Sequence, residues 1–131
     1  MKKLFSIAIL SLSSIVSAQA AVVIIGAPSA ADISASDAKK IFLGKGSSAL
    51  VPFELDENNP VRTEFHSKVT NKSDAQLKAY WSKQVFTGKG NPPAKVSSAA
   101  AMKSTVASTP NAIGYIDEAD VDSTVKVILK P

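Results

Sequence analysis

The sequence predicts an α/β domain, a mixed β-sheet flanked by helices, on three observations. A continuous apolar run, Ala21-Val-Val-Ile-Ile25, stops at Gly26 and reads as a strand covered on both faces. Capped segments of helical period follow it, interleaved with strand-like stretches. Two further strands, Ala112 to Asp117 and Thr124 to Leu129, close the chain. Strands separated by helices call for a layered α/β architecture.

Taken in order, Ala27 to Ala35 is a Pro/Ser loop, and Ser36 is placed to cap a short helix. Ala38, Ile41 and Phe42 share one face of that helix, and Gly44 ends it. Lys45 to Ser48 reads as a turn. Ala49 to Leu55 is a second strand in which Pro52 implies an edge position or a bulge, because proline has no N–H for a ladder. After a polar turn from Asp56 to Asn59, Asn59-Pro60 supplies an N-cap with proline at the first helical position. Val61, Phe65 and Val69 then repeat every four residues. Ser73-Asp-Ala-Gln76 matches a capping box, and Leu77, Tyr80, Trp81 and Val85 form one stripe of a helix ended by Gly88. Lys89 to Val96 reads as an extended loop, since Pro92 and Pro93 cannot continue a helix. Ser97 or Ser98 caps a helix carrying Met102 and Val106, which stops before Pro110. The last strand alternates Val125, Val127 and Leu129. The expected order is β-α-β-α-α-α-β-β.

The first twenty residues carry an address. Lys2 and Lys3 precede an apolar stretch from Leu4 to Val16, and Ala18-Gln19-Ala20 is an A-x-A cleavage site. We expect a cleaved secretory signal peptide over residues 1–20 and one domain over residues 21–131, soluble in the periplasm after cleavage. The apolar run falls short of the roughly 20 residues needed to span a bilayer, so a membrane-embedded protein is not expected. The chain has no cysteine, which removes disulfides, thiol catalysis and cysteine metal sites. Without Lys2 and Lys3 there are 13 basic against 11 acidic side chains, a net charge of +2, and the lysines are scattered. That balance is too mild to indicate nucleic acid as a partner.

Three segments carry a family resemblance: IFLGK (Ile41 to Lys45), YWSKQVFTGKGNPP (Tyr80 to Pro93) and PNAIGYID (Pro110 to Asp117). Together, in this order and spacing, the chain resembles the small, single-lobe members of the phosphate ABC transporter substrate-binding protein family, within the periplasmic-binding-protein-like superfamily. The resemblance covers roughly Ile33 to Asp117 and implies a single lobe of that type. In the full-length family the lobe supplies phosphate ligands from an R-x-D-G-S-G-T segment at a helix N-terminus, where backbone N–H groups face the anion. The matching stretch here is Glu54-Leu-Asp-Glu-Asn-Asn-Pro-Val-Arg62. Asp56 keeps the aspartate, Glu54 takes the arginine position, and Pro60 has no N–H to donate. Asn58, Asn59, Arg62 and Thr63 are the remaining candidates for holding an anion there, with the N–H groups of Val61 and Arg62.

Ser29 joins this set as a loop residue after the first strand, since open α/β sheets bind ligands at the carboxyl ends of strands. His66, the single histidine, is expected on the partly exposed flank of its helix. Tyr80 and Trp81 read as core packing rather than ligand stacking, and Gly88-Lys89-Gly90 as helix termination rather than a phosphate loop. Asp117, Glu118, Asp120 and Asp122 read as a solvated turn, because they lack the glycine and terminal glutamate of a calcium loop. No nucleophile–base set, paired carboxylates or metal cluster supports an enzyme, and no cofactor is expected. Two functions stay open. The first is a periplasmic solute-binding-type protein recognising a small anion, phosphate or another oxyanion, for an ABC permease or membrane sensor. The second is a ligand-free interaction or signalling module that keeps the fold. A single lobe leaves half of an anion in water, so a second copy, as in a homodimer, or another partner would be needed to complete a tight site.

Overall fold

The computed structural model describes residues 21–46 and 49–131. The signal-peptide expectation and part of the turn before Ala49 lie outside them. The chain forms β1 (Val22–Gly26), α1 (Ala35–Phe42), β2 (Val51–Leu55), α2 (Pro60–Lys68), α3 (Asp74–Phe86), β3 (Ala94–Val96), α4 (Ala99–Ser108), β4 (Ala112–Asp117) and β5 (Lys126–Leu129). A single 3-10 turn, Glu118–Asp120, separates the last two strands.

The five strands make one mixed sheet in the order β3-β2-β4-β1-β5. β2 runs parallel to β3 and β4, and β1 runs antiparallel to β4 and β5. β1 is buried along its whole apolar run, and β4 is buried up to its last residue, Asp117. Helices lie on both faces. Tyr115 of β4 stacks on Phe65 of α2 with ring centroids 3.9 Å apart and meets Phe42 of α1 at 5.8 Å. The preceding residue, Gly114, points the opposite way, against Met102 of α4.

Local signals account for most boundaries. The Asn59 side chain accepts from the Val61 N–H with Pro60 at the start of α2. Ser73 and Gln76 form the full capping box of α3. Ser98, rather than Ser97, caps α4. Gly44 and Gly88 take positive φ values of 71° and 69° just past α1 and α3, where a Cβ would be strained.

Several expectations change. Ser34, not Ser36, caps α1, accepting from the Asp37 N–H 3.1 Å away. Part of the Lys89 to Val96 loop pairs as β3, because Ala94, Lys95 and Val96 lie alongside Phe53, Glu54 and Leu55. This adds a strand between α3 and α4. Pro52 sits in an internal strand, not at an edge. Val51 donates its N–H toward β4, to Asn111 O at 2.8 Å, so alternation turns position 52 toward β3, whose ladder begins only at Phe53. The missing N–H therefore breaks no bond. Along β5 the inward residue is Ile128, because a bulge opposite Ile24 and Ile25 interrupts the alternation; Val127 and Leu129 are half-buried. Val85 leaves the core stripe of α3 and is exposed, while Leu77 and Trp81 stay buried.

Gly114 tests the close fit of α4 on the sheet. A Cβ there would stand 2.3 Å from the sulfur of fully buried Met102. Gly114→Ala is expected to destabilise the domain by about 1–3 kcal/mol through overpacking, read as a lower urea midpoint at unchanged m-value.

Candidate functional site

The carboxyl ends of the parallel strands β2, β3 and β4 fall on one side of the sheet, where open α/β sheets bind ligands. There β2 leads into α2 through the turn Asp56-Glu-Asn-Asn59, closed by Asn59 N–H donating to Asp56 O at 3.0 Å. Asp56, Glu57 and Asn58 are exposed, and Asn59 is half-buried.

Beneath this turn lies a buried polar network. Glu54 is 1% exposed, Arg62 5%, His66 1% and Thr70 2%. Arg62 and His66 are four residues apart and so share one face of α2, the face that covers Glu54. His66 Nε2 donates to Glu54 Oε1, since a carboxylate can only accept. His66 Nδ1 lies 2.8 Å from Thr70 Oγ1. Arg62 approaches Glu54 Oε2 at 3.5 Å and donates to Leu55 O at 3.5 Å. Both contacts are long for charge-assisted bonds, and the buried Arg62 Nε has no partner. Tyr115 completes the layer, its hydroxyl accepting the Leu55 N–H at 3.2 Å. Burial first, then the charge of Glu54, pushes the phenol's pKa well above its ordinary value, so it stays protonated.

His66 is thus buried, against the expectation of a partly exposed flank. The helix stripe of Val61, Phe65 and Val69 turned it only slightly aside from the core, and Glu54 opposite gave it a reason to go in. The signal was available: a glutamate near the end of a strand, then Arg and His four apart on the next helix.

The sequence-derived site residues divide into groups. Asp56, Asn58 and Asn59 lie together on the turn, with Arg62 below them. Thr63, one residue further round α2, opens onto a different hollow of about 400 Å³ shared with Ser67, Asn71 and Lys72. Ser29 lies at the opposite end of the sheet. β1 runs antiparallel to β4, so its carboxyl end is level with the start of β4, and Ser29 occupies an exposed turn closed by Ala30 N–H to Ala27 O. The N-terminus of α2 is already internally occupied. Val61 N–H goes to Asn59 Oδ1 and Arg62 N–H to Asn59 O, both at 3.0 Å, and Pro60 has none.

A feature missed in the sequence is a groove of about 660 Å³ that opens beside Arg62 and Glu54. Leu77, Trp81 and Pro92 line its apolar part. Lys95 of β3 lies on its rim, 2.9 Å from Glu57 Oε1, and that bond together with the lysine charge lowers the Glu57 pKa. Its volume lies within the roughly 300–1,000 Å³ range of small-molecule sites. The groove is assembled from β2, α2, α3 and β3, so no single motif announces it.

The sequence matches no protein-family model and no curated protein. Two solved structures share the fold. One is an ABC-type phosphate transport receptor from Vibrio cholerae, with 17% identity and a TM-score of 0.62 over 82% of this chain and 45% of that one. The other is a phosphate ABC transporter substrate-binding protein with bound phosphate from Clostridium perfringens, with 18% identity and a TM-score of 0.63 over 82% of this chain and 44% of that one. The chain therefore has the fold of part of a phosphate-transporter binding protein, and it spans less than half the length of either. The resemblance drawn from IFLGK, YWSKQVFTGKGNPP and PNAIGYID is matched at the level of fold.

The buried network makes a direct prediction. Glu54→Ala leaves Arg62 and His66 without their shared acceptor and is expected to cost about 3–5 kcal/mol in urea unfolding. Removing both partners together, as Glu54→Gln with Arg62→Met, is expected to cost less than the sum of the single changes, which a double-mutant cycle would measure.

Proposed function

We propose that this chain is a solute-binding-type lobe of the cell envelope that takes a small anion into the groove beside Arg62, on behalf of an ABC permease or a membrane sensor. The observation that carries this reading is Arg62 itself. It is a buried guanidinium with five donors, two of them held at 3.5 Å and one with no partner, at the wall of an open groove. Lys78 and Lys95 line the same groove and add positive charge. The fold shared with phosphate-transporter binding proteins supports a binding role rather than a catalytic one.

The charge of the groove narrows the ligand. Glu54, Glu57 and Asp74 line it with Arg62, Lys78 and Lys95, so the lining sums to zero. A dianion would meet three carboxylates, and a singly charged oxyanion or small carboxylate is the better fit. Phosphate is then a ligand in its monoanionic form, held by side chains of the groove. The signal-like residues 1–20 support a periplasmic location, and no helix among the described residues is long and apolar enough to cross a membrane.

A second reading, a ligand-free interaction module, has its own support. The amides at the start of α2 are spent internally, and Phe86 is 91% exposed beside the groove. Titration calorimetry of the domain with phosphate at pH 5.5 and 8, sulfate and acetate separates the two. The first reading expects heat with monoanions, stronger for phosphate at the lower pH, and a loss of about tenfold in affinity for Lys95→Ala. No heat and no thermal shift at millimolar anion would exclude it and leave the interaction module.

A further inference from the structure

The lysines are scattered along the sequence, but their pairing is not. Lys68, Lys95, Lys103, Lys126 and Lys130 each hold a carboxylate. Lys45, Lys72, Lys78, Lys83 and Lys89 lie on α3 or beside it, and none of them forms an ion pair among the described residues. Between Asp74 and Asp117 the sequence has no acidic residue, so nothing on α3 beyond its first turn offsets them. Glu57, on the groove, is taken by Lys95. Lys45 and Lys72 crowd a single ring, their ammonium groups 5.8 and 5.3 Å from the centre of Tyr80. We propose that the outer face of α3 rests on an anionic lipid surface, its lysines meeting headgroup phosphates and Phe86 entering the boundary beneath them.

The relief of the helix suits a flat surface. Leu77 and Trp81 bury one side of α3. Gln76, Ala79, Lys83 and Phe86 recur at three- and four-residue spacing along the opposite side, and all four are exposed. Phe86, 91% exposed, is the single bulky apolar group of that stripe, with Lys83 and Lys89 three residues to either side of it. Helical geometry sets Lys78 on one flank of the stripe and Tyr80, with Lys45 and Lys72, on the other. A lysine can hold its ammonium at a phosphate while its methylene stem lies against apolar material, and an aromatic ring fits the layer just below. The match is one of opposite charge, since unpaired cations with no acid among them face lipid phosphates. An acidic protein surface would satisfy the same charges, but a stripe of small side chains with one protruding ring offers it little shape to dock against. The proposal is independent of the anion reading, because lipid binding is measured without a small ligand.

Cosedimentation with vesicles tests it, using residues 21–131, which hold the whole described core, so that the apolar run from Leu4 to Val16 binds no lipid itself. Binding is expected to phosphatidylcholine vesicles that contain phosphatidylglycerol, falling as salt is raised, and not to phosphatidylcholine alone. Lys83→Gln with Lys89→Gln is expected to weaken binding about tenfold. Lys103→Gln with Lys130→Gln removes the same net charge from paired lysines elsewhere and is expected to change binding less than about twofold. Phe86→Ser is expected to weaken binding about fivefold at every salt concentration, since it removes apolar contact and no charge. Circular dichroism of the Lys83, Lys89 and Phe86 variants should not change, because all three side chains are exposed. No binding at low salt, or equal losses in the two double variants, would overturn the proposal. So would binding indifferent to Phe86→Ser. Capture on polyglutamate but not on vesicles would also overturn it, in favour of an acidic protein partner.

Discussion

A carboxylate leaves water at a cost of several kcal/mol unless it finds partners, and Glu54 is almost fully buried. It is the last residue but one of β2 and recruits Arg62 and His66 from α2. That pairing fixes the rotation of α2 about its own axis. Phe65, between the two partners in sequence, is carried onto Phe42 and Tyr115 to make the aromatic layer between helices and sheet. Tyr115 in turn reaches the Leu55 N–H, holding β2 beyond the two positions at which it is registered with β4. One buried charge thus sets the seating of a helix, a ring stack and the end of a strand.

The same arrangement decides what the strand ends can bind. Glu54 occupies the position at which the family resemblance leads one to expect a ligand-binding arginine, and Arg62 turns inward to meet it. The proline and asparagine that start α2 cleanly also consume its free amides. The open space beside the turn is the groove, lined by Arg62, Lys95, Leu77 and Trp81, and the buried Nε of Arg62 is left without a partner. The turn is spent on structure, and the groove is what remains available.

Much of this fold was legible because its signals are local. The apolar run of β1, the capping box of α3 and the proline entering α2 each depend on a few adjacent residues, and each lies close to where the pattern puts it. The segments that carried the resemblance also meet in space. The Tyr80 hydroxyl donates to Leu43 O at 2.6 Å, a Cβ on Gly44 would stand 3.2 Å from the Trp81 ring, and the Tyr115 ring meets Phe42 at 5.8 Å. What the sequence concealed was non-local. β3 is three residues with no apolar period, made a strand only by pairing with β2. The burial of His66 follows from a glutamate twelve residues away, and Ser29 is separated from the other candidates by the antiparallel direction of β1, which no single segment reveals.

β3 is also an outer strand of the sheet, and such a strand offers unpaired backbone to any chain that approaches. Here it is three residues long, Pro92 and Pro93 stand immediately before it, and the charge of Lys95 sits at its centre. Prolines have no N–H to extend the ladder, and a lysine would have to shed its hydration to be covered. The segment that walls the groove is by the same residues a poor template for cross-strand growth. That gives a chain without cysteine protection against aggregation while it folds.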